Sequence, residues 1–192
     1  MKDDNKTSKE AQSIGSALRE LRKGRELSLA TVASRAGLTK GFLSQVERGA
    51  KDPSISTLVR LARALDVPIS SFFKDATPDH GRFSLVRSDE RKPLARQGTL
   101  HGYRYEAIAY RRHVKRMEPF VAHLPQKPPS ERFRHDGEEM IFVLDGRVGT
   151  YIDDDYFELD EGDCIYFDAS VPHNSFSLGD SPAVVLIVVS PD

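Results

Sequence analysis

The stretch SLATVASRAGLTKGFLSQVERG, residues 28–49, decides the fold of the first third of the chain. Ser28 is a helix N-cap, and Leu29, Val32, Ala33 and Ala36 follow on one helical face. Gly37 supplies the left-handed residue that stops this helix. Leu38 follows, Thr39 is a second N-cap, and a second helix runs through Phe42, Leu43, Val46 and Glu47 to a stop at Gly49. Ala33, Gly37, Leu38, Leu43 and Val46 allow the two helices to cross closely, at the spacing of a helix-turn-helix unit. The second helix opens with Lys40, Gly41, Ser44 and Gln45, all small, polar or basic. Such a face suits a DNA major groove. An ordinary helical hairpin with a solvated polar face has the same local pattern.

The flanks extend this unit into a bundle. Residues 1–12 read as a charged, disordered tail. Ile14, Leu18, Leu21 and Leu27 begin a helical pattern with Arg19, Arg22, Lys23 and Arg25 on its outer side. Ser56 is the expected cap of a fourth helix, STLVRLARALDV, which ends at Pro68, and ISSFF forms a last short turn or helix. Glu47 is expected to be a partner within the fold, because it would repel a phosphate backbone.

The run from about Ser13 to Phe73 resembles the helix-turn-helix domain of the Xre/Cro repressors. The residues that carry the likeness are Gly37, Leu38, Ser44 to Glu47, Gly49, Pro53, Leu58, Leu61, Ala62 and Leu65. The resemblance implies DNA binding, with Lys40, Gly41, Ser44 and Gln45 at base edges and Ser28 and Thr39 near phosphates. Gly41 has no side chain with which to read a base, so specificity rests partly on DNA shape.

Composition supports a division into two parts. The 192 residues carry a net charge of −1, yet residues 1–74 hold 14 Lys and Arg against 8 Asp and Glu, and residues 75–192 hold 14 against 21. The basic part attracts a phosphate backbone and the acidic part does not. A single cysteine, Cys164, rules out an internal disulfide and fits a reducing cytosol. It lies in the strand-like run CIYF and is expected to be a small buried hydrophobe. The polar N-terminus is no signal peptide. No apolar run approaches the roughly 20 residues that span a bilayer, so a cytoplasmic protein is expected, with no membrane partner.

DATPDHG, residues 75–81, reads as a linker between a domain at 13–74 and a second at 82–192. Beyond it the periodicity turns from helical to alternating. Phe83, Leu85 and Val86 suggest a first strand, and HGYRYEAIAYRRH a second with Tyr103, Tyr105, Ala107 and Ala109 on the buried side. From Met117 short strands follow: EPFVAHL, MIFVLDG, RVGTYIDDD, YFELDEGD, CIYFDASVPH, NSFSLGDS and AVVLIVV. Turns such as Asp145-Gly146 and Glu161-Gly162 separate them, which argues for an all-β barrel or sandwich.

His135, Glu139 and His173 are candidate ligands for a divalent transition metal. Positions four apart on a straight strand are separated by roughly 13 Å, so His135 and Glu139 converge only if the chain turns at Asp136-Gly137. RFRHDGEEMIFVLDG and EGDCIYFDASVPH resemble the two motifs of the cupin superfamily, a jelly-roll barrel of double-stranded β-helix type. His135, Glu139 and Gly146 match the first motif, and Gly162 and His173 the second. The first motif's leading histidine is replaced by Phe133, and Asp168 and Ser170 stand where the second motif has Pro and Gly. The resemblance implies a His-Glu-His site for Zn, Ni, Fe or Mn, or a pocket in which Phe133 packs on a small ligand.

The order of domains resembles the Xre-cupin transcriptional regulators of bacteria. It implies a cupin domain that senses a metabolite of the amino acid, amine or peptide class, at Phe133, His135, Glu139 and His173. A two-fold operator needs two heads about 34 Å apart, hence a homodimer, with AVVLIVV and long edge strands as its expected surface. The competing readings are a metal-dependent cupin isomerase or dioxygenase fused to a DNA-binding domain, and a protein-binding, antitoxin-like module.

Overall fold

In the computed structural model residues 14–73, 81–94, 99 and 101–190 are described. The expected tail at 1–12 and most of the expected linker, 75–80, lie outside the described residues.

The first part is a bundle of α1 (Ile14–Gly24), α2 (Leu29–Arg35), α3 (Lys40–Glu47) and α4 (Ile55–Leu65), followed by a 3-10 turn at Ile69–Phe72. Capping sets these boundaries. Ser28 accepts from the Thr31 N–H and Thr39 from the Phe42 N–H, while Gly37 at φ 62° and Gly49 at φ 69° follow the ends of α2 and α3. The cap of α4 is Ser54, not the expected Ser56: the Ser54 hydroxyl accepts from the Thr57 N–H. Ser54 has the extended backbone a cap needs, whereas Ser56 already lies inside the helix. Leu18, Val32, Leu43, Val46, Leu58, Leu61, Leu65 and Phe72 form the core. Arg22 on α1 and Glu47 on α3 join across it: Nε donates to Oε1 at 2.6 Å and Nη2 to Oε2 at 2.9 Å. Glu47 is therefore a partner within the fold.

The second part has nine strands: β1 (Lys92–Pro93), β2 (Arg104–Ala107), β3 (Glu118–His123), β4 (Glu138–Asp145), β5 (Val148–Ile152), β6 (Asp155–Leu159), β7 (Cys164–Asp168), β8 (His173–Ser177) and β9 (Val184–Ser190). They form two antiparallel sheets, β1-β2-β3-β9-β4-β7 and β6-β5-β8. Inward residues alternate along the strands, for example Ile141 and Val143 on β4 and Val185, Ile187 and Val189 on β9.

Two expectations fail here. Residues 83–86 form no strand: they join neither sheet among the described residues, and Phe83 and Leu85 are exposed. Cys164 is exposed, because β7 is an edge strand and position 164 faces away from the core. AVVLIVV lies in β9, between β3 and β4, with its backbone paired on both sides.

The two parts touch. Arg63 of α4 pairs with Asp136, and the Ser70 hydroxyl donates to the His113 carbonyl at 3.3 Å. Glu118 and Lys115 form a buried pair at 2.9 Å on the β side of this contact.

Candidate functional site

Two sets of residues carry the chemistry. The first is the start of α3. Lys40 and Gly41 are exposed there, and Ser44 and Gln45 half-buried one turn later. The Thr39 and Ser28 hydroxyls are exposed while capping their helices at 3.1 and 3.0 Å, so each cap sits at a surface with unfulfilled helix N–H groups behind it. Such an end is favourable for a phosphate.

The second lies between the two sheets. Glu139 projects inward from β4 and His173 from the start of β8, while His135 precedes the bend at Asp136-Gly137. Gly137 adopts φ 90°, a conformation that favours glycine, and this lets the chain turn so that residues four apart meet. His135 Nε2 lies 3.0 Å from Glu139 Oε2, and His173 Nε2 lies 3.7 Å from the same oxygen. One donor atom from each residue lies within 4.8 Å of the others, and all three residues are buried. Phe133 reaches the site by pairing its backbone with His173, at 2.7 and 2.8 Å.

The outer ring nitrogens complete the arrangement. His135 Nδ1 is 2.9 Å from the Asp136 carbonyl, and His173 Nδ1 is 2.9 Å from the Val171 carbonyl. A carbonyl accepts only, so each Nδ1 is placed to donate, and the Nε2 of each ring is the atom that would ligate an ion at the centre. Burial pushes His173 below its ordinary pKa, partly opposed by the Glu139 carboxylate, which favours the neutral, ligating form. Two imidazoles and a carboxylate fit Zn, Ni, Fe or Mn, with further positions left to water or ligand. The Asp168 and Ser170 departures leave the turn before His173 intact, because the Asp168 carboxylate accepts from the Ser170 N–H at 2.8 Å.

The cavity beside these ligands is small, about 20 Å³. Tyr103, Tyr105, Ile141 and Asn174 line it, together with Ile55 and Ser56 from the first turn of α4. Asn174 Oδ1 is buried there without a hydrogen-bond donor, while its Nδ2 donates to the Pro129 and Glu131 carbonyls, both at 3.3 Å. Tyr103 donates to the Ser175 carbonyl at 2.6 Å, and burial holds its hydroxyl protonated. Sequence reasoning missed Asn174, Ile55 and Ser56 as site residues. The alternation that placed Tyr103 and Tyr105 in the core was the one signal for the wall they form. His101 stands edge-on to Phe133 with ring centres 5.1 Å apart.

Comparisons with known proteins agree with both halves. A helix-turn-helix family model matches residues 18–72, and a cupin domain model matches residues 120–189. The HTH-type transcriptional regulator PuuR of Escherichia coli is 27% identical over 170 residues, covering 88% of this chain and 90% of the relative. The HTH-type transcriptional regulator SutR of the same organism is 26% identical over 165 residues, covering 85% and 86%. A helix-turn-helix family transcriptional regulator from Vibrio cholerae superposes with a TM-score of 0.65 at 27% identity, covering 93% of this chain and 96% of that one. The chain thus carries an Xre-type helix-turn-helix domain followed by a cupin domain, and along most of its length it is similar to HTH-type transcriptional regulators.

Proposed function

We propose that this DNA-binding transcriptional regulator senses a small metabolite at the His135–Glu139–His173 centre and passes its occupancy to the DNA-binding head through α4. One observation carries the reading: Ile55 and Ser56, in the first turn of α4, form part of the wall of the cavity that holds Glu139 and His173. A cavity of about 20 Å³ accommodates an ion or a water. An amino acid, amine or peptide enters only when Ile55 and Ser56 withdraw, so effector and docked head compete for one space. The effector then shifts the position of the head by no more than its differential affinity for the two arrangements. The unpaired Asn174 Oδ1 is an acceptor suited to an N–H group of such an effector.

Lys40, Gly41, Ser44 and Gln45 face the base edges in this reading, with Gln45 suited to adenine and Lys40 to guanine or phosphate. Ser28 and Thr39 hold the flanking phosphates. The domains divide at residues 13–74 and 82–192, and the protein works in the cytoplasm, where its operator is. Two heads on a two-fold operator require a homodimer. The outer face of the larger sheet supports one: Met140 and Phe142 on β4 align with Val188 and Leu186 on β9, and all four are only half-buried in the single chain. Leu186 and Val188 belong to the AVVLIVV run expected from sequence to form this surface. His135, Glu139 and His173 would hold a divalent ion, which supplies Lewis acidity for an effector's donor groups. The reading favours sensing over turnover, since Phe133 takes the position of one ligand histidine and the relatives named above are transcriptional regulators.

The test has two arms. Operator selection followed by Lys40→Ala and Gln45→Ala should give loss of specific binding with unchanged helical content; unchanged operator affinity overturns those contacts. Elemental analysis should find a divalent metal that His135→Ala and Glu139→Gln lose. Equal metal content in the variants overturns the centre.

A further inference from the structure

A second, larger cavity lies between the two parts, outside the cupin centre. It has about 470 Å³ of space, within the range of small-molecule sites, and Gly37, Thr39, Lys51, Arg60, Phe133 and Arg134 are among the residues that line it. Its charges are unbalanced in one place. Arg60 on α4 and Arg134 on the loop before His135 both line the cavity, near enough for the charge of one to act on the other, and the Arg60 Nε is buried without an acceptor among the described residues. Three other charged side chains around it are already engaged. Lys51 sits over the Phe42 ring at 5.7 Å, Arg132 stacks on Tyr151 at 4.9 Å and bonds to the Asp153 carbonyl, and Glu131 lies 3.7 Å from His101. Asp52 lines the cavity without an ion pair among the described residues, and burial raises its pKa.

We propose that this cleft binds a small oxyanionic metabolite, a carboxylate or a phosphate, held between Arg60 of the helical domain and Arg134 of the β domain. Leaving a guanidinium N–H buried and unpaired beside a second positive charge is unfavourable, and one oxyanion removes both costs. Burial and the Arg134 charge already hold Arg60 below its ordinary pKa. Guanidinium is the group suited to this, since its planar fork matches two oxygens of one carboxylate or phosphate. The site also reaches the DNA-reading unit. The space a Cβ on Gly37 would occupy lies 3.6 Å from Arg60 Nη1, so the anion would sit against the turn between α2 and α3. A ligand bridging Arg60 and Arg134 fixes that turn to the loop carrying Phe133 and His135, and so ties the reading head to the sensor by a route separate from α4's first turn.

The experiment uses the full chain, stripped of metal by chelation, titrated calorimetrically with inorganic phosphate and with malonate against a constant ionic strength of sodium chloride. Saturable binding of at least one probe is expected. Arg134→Gln, at an exposed position, and Arg60→Gln should each weaken it about tenfold or more, the factor that accompanies loss of one charge-assisted hydrogen bond. Arg147→Gln, on the remote β5 side, should leave it unchanged. Equal affinity in wild type and Arg134→Gln overturns the proposal, as does the absence of binding by both probes. If neither probe binds and Arg134→Gln lowers affinity for duplex DNA, the two arginines serve the DNA backbone instead, and the proposal is likewise overturned. None of these readouts depends on metal content or on an effector in the cupin centre.

Discussion

The Arg22–Glu47 pair fixes α3, the helix that presents Lys40 and Gln45, and its removal makes a sharp test. The two side chains are 10% and 5% exposed, and Arg22 Nη1 also donates to the Leu27 carbonyl at 2.9 Å. Glu47 holds the Arg22 guanidinium above its ordinary pKa, chiefly through the hydrogen bonds between them. Glu47→Leu leaves a buried cation without its carboxylate, and breaking such a pair costs about 3–5 kcal/mol. A helical domain of this size has roughly 3–9 kcal/mol in total, so most of its stability should go. Since a two-part chain need not unfold in one step, hydrogen exchange is the suitable assay, read separately on α1 and α3 and on β4 and β9. At a tenfold change per 1.4 kcal/mol, the slowest α3 amides should lose about a hundredfold protection or more. Amides of β4 and β9 should change far less. The double variant Arg22→Met/Glu47→Leu, with no charge left behind, should recover most of the loss, because apolar replacement of a buried pair is often neutral or stabilising. A loss of protection below tenfold in Glu47→Leu, or a double variant as damaged as the single, would refute the reasoning.

Further predictions follow from neighbouring positions. Gly15→Ala should destabilise the bundle by about 1–3 kcal/mol despite alanine's better helix propensity, because its Cβ would lie 2.2 Å from the Val46 carbonyl oxygen. Gly41→Ala, where nothing lies within 4 Å, should instead stabilise it by roughly 0.5–1 kcal/mol; thermal melts followed by helical circular dichroism compare the two. Asp52→Asn should change the pH dependence in a defined sense. Burial raises the folded pKa of Asp52 above its ordinary 3.8, so the folded state holds that proton more tightly and wild type loses stability as pH climbs from 3.8 through the folded value. The melting temperature of Asp52→Asn relative to wild type should therefore rise over that window and then level off; a constant offset counts against it. Loss of bound metal on His135→Ala, and of operator binding on Lys40→Ala, complete the set.

Much of the architecture was legible because its causes are local. Ser28, Thr39, Gly37 and Gly49 announce their helix ends within three or four residues of chain, and alternation along Tyr103, Tyr105 and Ala107 marks a strand with one buried face. The misreadings occurred where local signals were equal and the surroundings chose. Ser54 and Ser56 are equally good caps by composition, and only the start of the helical backbone selects Ser54. Phe83 and Leu85 alternate like a strand but stay exposed and join neither sheet. Cys164 looks like a core residue until β7 is placed at the sheet edge.

The candidate site was legible as a set of residue types and not as a place. The sequence by itself determined a capped four-helix unit with Lys40 and Gln45 at the start of its third helix, a chain of short strands, and His135, Glu139 and His173 as groups able to hold an ion. These follow from backbone preference and side-chain chemistry, which act over a few residues. Only the tertiary structure decided that Glu139 and His173 project from opposite sheets into one space, that Gly137 turns His135 toward them, and that Phe133 is held beside His173 by backbone pairing. It alone placed Ile55 and Ser56 against the cupin cavity and brought Arg60 and Arg134 to one cleft. The meetings between sheets and between domains join residues from 34 positions apart, Glu139 and His173, to 118, Ile55 and His173. Burial of whole faces selects them, and no pattern within either segment encodes its distant partner.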